Sequence, residues 1–164
     1  MKIISVSGTP GTGKTFLSKR LAKKLNFYYM ELGKLISKNK LYYGYDKKRK
    51  TKIITIKNLN KFIIKEIKLF GMNKKVNGII IDSHLSHYLP KKYVDFCIIT
   101  KCDIKELNKR LKNKGFNKNK IQENLQAEIF DICLNESRQR KHNVIVVYTT
   151  KGFNINGLAK KLGG

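Results

Sequence analysis

Acidic residues are scarce in this chain. Eleven Asp and Glu stand against 36 Lys and Arg, a formal charge of +25 on 164 residues, and such a surface draws polyanions such as RNA through counterion release. The basic residues run along the whole chain among many Asn and Ile, so a solvated Lys-rich surface explains the same composition. Net charge speaks to non-specific association and leaves both readings open. Arginine is scarcer still. Only Arg20, Arg49, Arg110, Arg138 and Arg140 accompany 31 lysines, and where Lys is used so freely an Arg marks a place that wants a planar, two-pronged donor. Cysteine is limited to Cys97, Cys102 and Cys133, an odd number without a C-x-x-C pair. That argues against a disulfide framework or a zinc site and makes them reduced core residues. No apolar run approaches the roughly 20 residues that cross a bilayer. Met1 leads straight into an apolar strand pattern without a signal peptide. The expectation is a soluble, cytoplasmic protein with no membrane partner. No repeat or low-complexity linker is visible, and the length suits a single domain over residues 1–164.

What the chain does have is Gly8-Thr9-Pro10-Gly11-Thr12-Gly13-Lys14-Thr15, which fits the phosphate-loop pattern G-x-x-x-x-G-K-[ST]. Lys2-Ile3-Ile4-Ser5-Val6-Ser7 before it reads as a buried strand, and Leu17, Leu21 and Leu25 after it share one helical face. Strand, loop and helix together are the context the motif requires. Its glycines let backbone N–H groups and the positive end of the helix dipole surround a polyphosphate. Amides from Gly11, Thr12, Gly13, Lys14, Thr15 and Phe16 are the expected ATP contacts. Lys14 is expected to reach the β- and γ-phosphates and the Thr15 hydroxyl to hold Mg2+.

Strand and helix patterns then alternate. Tyr28 to Leu32 reads as a second strand, and Leu59, Phe62, Ile63, Ile67 and Phe70 as the buried face of a helix. Gly78 to Asp82 and Val94 to Thr100 read as buried strands. Asp103 and Glu106 take the first cap and third positions of a helix that carries Leu107, Arg110 and Leu111 and stops near Gly115. One long amphipathic helix with Ile121, Leu125, Ile129 and Ile132 on a single face is expected next, then a last strand over Val144 to Tyr148. This alternation implies an α/β fold with a parallel sheet between two helical layers. The basic run Lys47-Lys48-Arg49-Lys50 falls in an exposed insertion.

Asp82, an acid at the carboxyl end of an apolar strand, stands where such folds place the carboxylate that holds magnesium or its waters; capping of the next turn is the plainer alternative. His84 and His87 form H-x-x-H, which without a third ligand or a zincin Glu is a weak metal signal. Thr100-Lys101-Cys102-Asp103 mimics the guanine-reading T-K-x-D of GTPases. No D-x-x-G switch follows the acidic strand, and Asp103 already has a capping role.

These residues resemble the adenylate kinase isoenzyme 6 (CINAP-type) family, a branch of the P-loop nucleoside monophosphate kinases. The likeness runs nearly end to end. It includes the phosphate loop, Gly44-Tyr45-Asp46, Asp82-Ser83-His84, and Lys114-Gly115-Phe116 followed by Lys120 to Phe130. The resemblance implies a P-loop NTPase fold in three α/β/α layers with a five-stranded parallel sheet. It also implies a monophosphate-binding insertion at about 31–57 and a short lid at about 113–123. The activity it implies is transfer of the ATP γ-phosphoryl group to AMP with an accompanying ATPase. The implied partners are a small-subunit ribosomal protein and rRNA during small-subunit maturation. An ATPase assembly factor with little kinase activity is the alternative. Two departures stand out. Lys114 replaces the family's lid Arg, keeping charge without the bidentate fork, and Lys38 stands in a helix where the family commonly has an Arg for the monophosphate. Arg110 matches a family Arg, and Arg138 and Arg140 could return towards the phosphates or remain solvated.

Phosphoryl transfer to a phosphate acceptor needs alignment and charge neutralisation more than a strong base. The expected roles are therefore Lys14 and Arg110 on the transferring group, Thr15 and Asp82 on Mg2+, and His84 ordering water or the turn. Lys114 is expected on ATP, and Lys38, Tyr45 and Asp46 on AMP. Tyr42, Tyr43 and Tyr45 either stack on a base or pack beneath the insertion.

Overall fold

The computed structural model describes residues 1–47, 51–73 and 75–163. Five parallel strands, β1 (Lys2–Ser7), β2 (Tyr28–Glu31), β5 (Gly78–Asp82), β6 (Phe96–Lys101) and β7 (Val144–Tyr148), form one sheet in the order β2-β5-β1-β6-β7. Between β2 and β5 the chain inserts a two-stranded antiparallel hairpin, β3 (Gly44–Asp46) with β4 (Thr51–Ile53). Among the described residues there are seven α-helices, α1 (Lys14–Leu25), α2 (Leu32–Lys38), α3 (Ile56–Gly71), α4 (Ile104–Asn113), α5 (Lys118–Ile129), α6 (Ile132–Gln139) and α7 (Ile155–Lys161), and two single-turn 3-10 helices, Ser86–Tyr88 and Lys91–Tyr93.

The two-residue period of the strands builds both faces at once. Ile79 and Ile81 turn to one face and meet Leu59, Ile63 and Ile67 of α3. Ile80 turns to the other with Ile4, Val6, Ile98 and Ile145, and packs on Leu17 and Leu21 of α1, Leu158 of α7 and Leu162 just past it. Central strands buried on both faces explain the unbroken apolar runs. The order reverses at β1, whose neighbours are β5 and β6. The carboxyl ends of these three strands open the crevice where such sheets bind ligands.

The single long helix expected around Ile121 to Ile132 is in fact two. The chain turns at Asp131, which adopts a left-handed φ of 53°, and the Asn135 amide donates to the freed Phe130 carbonyl at 3.0 Å. Lys101 at the end of β6 pairs with Asp131 and pins the joint. Ile121 and Leu125 do pack inward, beside Leu107 and Leu111, but Ile129 and Ile132 are exposed. The side chains facing inward across the break are Glu128 and Leu134. A polar anchor overrides the apolar period here. The run at 47–50 lies outside the described residues apart from Lys47, and Arg49 with it. The three thiols are free.

Candidate active site

The loop from Gly8 to Gly13 joins the central strand to α1 and is fixed from several sides. At Gly11, φ is 94° and a Cβ would stand 2.8 Å from Leu107 Cδ1 of α4. At Gly8, φ is 135° and a Cβ would stand 2.5 Å from the Thr100 carbonyl. Both positions therefore exclude any side chain. Thr12 Oγ1 donates to the Thr9 carbonyl at 2.8 Å and lies 2.7 Å from Thr100 Oγ1. Thr149, just past β7, donates to the Thr12 carbonyl at 2.6 Å. Thr9 donates to Glu128 Oε2 at 2.6 Å, and the other oxygen of that buried carboxylate accepts the Cys102 N–H at 3.0 Å. Ser7 Oγ lies 2.6 Å from His87 Nδ1, and His87 Nε2 lies 2.9 Å from Glu136 of α6.

Lys14 folds back over the loop, donating to the carbonyls of Gly8 and Thr9, each at 2.9 Å. Burial lowers its pKa to about 8 against the opposing pull of Asp82. Asp82 ends β5, is buried, and accepts a hydrogen bond from the Tyr29 hydroxyl at 2.8 Å. The Thr15 side chain neighbours the same phenol. Burial first, then Asp82, raises the Tyr29 pKa far above its ordinary value, so the phenol is a donor. The Asp82 carboxylate and the Thr15 hydroxyl are the two hard oxygen ligands beside this phenol. Their chemistry fits magnesium, which takes one or two protein oxygens and keeps several waters.

Two clefts flank the loop. The first, about 850 Å³, is lined by Gly11, Gly13, Lys14, Thr15 and Phe16, with Arg110 and Lys114 of the α4 end, Thr149 and Phe153 opposite. Here Arg110 donates to Glu106 at 2.8 Å and to the Thr149 carbonyl at 3.1 Å, which holds its plane against the β7–α7 loop. The second cleft, about 650 Å³, opens past Thr9 and Pro10. Its walls include His84, Phe116, Lys120, Glu123 and Asn124. Protein crowding, then the charges of Lys14, His87 and Lys120, hold the His84 pKa well below its ordinary value. The ring is nonetheless open to the cleft.

The structure therefore gathers Lys14, Thr15, Arg110 and Lys114 along the first cleft and His84 along the second, while Asp82 lines neither and acts on Lys14 by its charge. The residues carried to the monophosphate are more scattered. Asp46 faces the start of α5 across a depression with Asn117, Lys120 and Glu123. Tyr45 is exposed on β3, and Lys38 is exposed at the end of α2. Neither lines the clefts beside the loop. Tyr42, Tyr43 and Tyr45 are all exposed, which removes packing beneath the insertion as their explanation. Arg138 is exposed, and Arg140 lies over the Tyr88 ring, 4.5 Å from its centroid. Neither lines the two clefts.

The hydrogen bonds of the turn after β5 come from Ser83 and Ser86, so the turn does not depend on His84. His87 is buried in its bonds to Ser7 and Glu136, and among the described residues no group of three His, Cys, Asp or Glu is placed for a metal. Thr100 and Lys101 serve the loop and the helix joint, and Asp103 caps α4 by accepting the N–H groups of Lys105 and Glu106. Glu106 turns to Arg110 rather than back to the cap.

Comparison with known proteins agrees with this geometry. The pattern of the AAA domain family matches residues 4–131. The adenylate kinase isoenzyme 6 homolog of Schizosaccharomyces pombe is 34% identical over 88% of this chain and 78% of its own. The chain belongs to the adenylate kinase isoenzyme 6 family. The Caenorhabditis elegans homolog of the same name is 30% identical over 87% of this chain and 76% of its own. The fold is also that of deoxyadenosine kinase from M. mycoides, solved with bound dATP, with a TM-score of 0.58 at 16% identity and full coverage of both chains. Membership in the isoenzyme 6 family makes the chain a P-loop kinase.

Sequence reading missed three contributors to the site. Glu128 lay inside the segment that carried the family likeness, but its apolar neighbours masked it. Tyr29 looked like one more strand aromatic. Thr149 follows the last strand without any motif. No local pattern marks them, because each works on a partner at least 53 residues away.

Proposed function

We propose that this protein transfers the γ-phosphoryl group of ATP to AMP with Mg2+, giving two ADP. The observation that carries the reading is the pair of clefts meeting at the phosphate loop. One suits a donor triphosphate beside Lys14, Arg110 and Lys114, and the other suits an acceptor beside His84 and Lys120. Magnesium, when bound, neutralises and orients the donor phosphates. Thr15 and Asp82 are the residues that would hold it. The loop amides align the donor, and Lys14, drawn off the Gly8 and Thr9 carbonyls, meets charge spreading on the transferring group. Asn117 to Glu123, facing Asp46 of the hairpin, would shut water out of the acceptor cleft, and incomplete closure would leave ATP hydrolysis as the accompanying activity.

A second reading, an ATPase with little kinase activity, has an observation of its own. Among the described residues lining the acceptor-side cleft, the cationic side chain is Lys120, since His84 and His87 both have lowered pKa values. Water is then the easier acceptor. ADP formed in proportion to added AMP supports the kinase, whereas phosphate release indifferent to AMP supports the ATPase.

The part we propose in small-subunit maturation, through a ribosomal protein and rRNA, draws support from the charge and from α3. Its Lys57, Lys61, Lys65 and Lys68 lie on one exposed face, about 16 Å long at 1.5 Å per residue. Binding to a small-subunit rRNA fragment should fall steeply with salt and weaken when these four are changed to Gln. An unchanged affinity removes α3 from that role.

A further inference from the structure

We infer that Tyr29 is a positioning residue for Asp82, fixing one oxygen of its carboxylate so that the other is presented to magnesium or its waters. This rests on the proposed metal role of Asp82 and Thr15. The register of the sheet creates the arrangement. β2 is an edge strand paired in parallel with β5, with Tyr29 opposite Ile80 and Glu31 opposite Asp82, so the phenol must reach two residues along the neighbouring strand. It donates to Asp82 Oδ2 at 2.8 Å. A phenol has one proton to give and lone pairs left to accept with. With that proton committed to Asp82, the phenol oxygen is left as an acceptor towards the neighbouring Thr15 side chain.

One hydroxyl thus holds Asp82 and neighbours Thr15, the two side chains proposed for the metal, which come from different elements of the chain. Lys19 Nζ stands 5.8 Å from the centroid of the Tyr29 ring and closes its other side. Asp82 is only 3% exposed, so bulk water cannot take over the bond and hold the carboxylate plane. Partners of this outer kind set the orientation, and hence the strength, of the ligands they touch.

The test is Tyr29→Phe, which keeps the ring and deletes the hydroxyl, assayed well below its melting midpoint. We expect about tenfold more magnesium to be needed for half-maximal turnover. A binding readout separates positioning from general damage. Titration with a non-hydrolysable ATP analogue, with and without Mg2+, should show magnesium-free affinity as in the wild type and most of the magnesium-dependent gain lost. A variant that keeps the full gain overturns the inference, as does one whose affinity falls equally in both conditions. Asp82→Asn runs alongside. If Asp82→Asn loses the gain and Tyr29→Phe keeps it, Tyr29 alone is misassigned. If both keep it, the magnesium role of Asp82 falls as well.

Discussion

Glu128 offers the most exacting test of how the loop is held. Its carboxylate is 5% exposed and accepts two hydrogen bonds, from Thr9 Oγ1 at 2.6 Å and from the Cys102 backbone at 3.0 Å. Glu128→Ala strands both donors. The Cys102 N–H cannot be removed by substitution, and an unsatisfied buried donor costs about 1–3 kcal/mol. Relief from burying a carboxylate offsets part of this, so the net loss should be about 2–4 kcal/mol. Glu128→Gln keeps an acceptor for Cys102 and sacrifices mainly the charge assistance at Thr9, a loss of about 1 kcal/mol. With a Tm change of about 2–4 °C per kcal/mol for a chain of this size, the Ala variant should melt about 4–16 °C lower. Urea unfolding of Thr9→Ala, Glu128→Ala and the double variant gives the coupling, which should be about 1–2 kcal/mol. A Glu128→Ala loss below about 1 kcal/mol, or additivity within about 0.5 kcal/mol, refutes the argument that this pair clamps the loop.

Lys14→Ala should leave the melting curve close to wild type and lower turnover at least about 100-fold, as loss of a transition-state charge contact does; near-normal turnover would refute the assignment. The lowered pKa of Lys14 also fixes a pH limb. The lysine loses its proton above about pH 8 in the free protein, so kcat/KM for ATP should fall as pH rises through 8, and a flat profile to pH 9.5 would count against a cationic role. At the α4 end, Lys114→Arg should raise turnover about fivefold, equivalent to about 1 kcal/mol, and Lys114→Ala should lower it. Steady-state rates unchanged in both would make Lys114 a surface charge.

The parts of this fold that could be read from sequence are those whose cause is local. Strand, loop and helix around Gly8 to Thr15 follow from glycine geometry and apolar period, and the Asp103 cap from a single side chain and two amides. The break at Asp131 could not be read in that way, because an apolar period through Ile129 and Ile132 argued for continuity. What decides it is a carboxylate at 128 and a lysine at 101, each acting across the fold. The final helix α7 was missed for a related reason. It is short, and its Asn154 cap, which accepts the Gly157 N–H at 2.9 Å, sits in a stretch rich in Asn and Gly. The β3–β4 hairpin is likewise two strands of three residues each, too brief for a two-residue period to register.

The supports of the phosphate loop also bear on the order in which the protein becomes functional as it is synthesised. Residues 8 to 15 leave the ribosome well before the groups that fix them, which arrive with Thr100, Glu128 and finally Thr149. The strands on either side of β1 come from residues 78–82 and 96–101. A nascent chain stopped at 131 would carry the complete nucleotide motif without the hydroxyl that holds the Thr12 carbonyl. Acquisition of nucleotide affinity should therefore coincide with release of the last strand, so that ATP can stabilise only chains that have completed the fold.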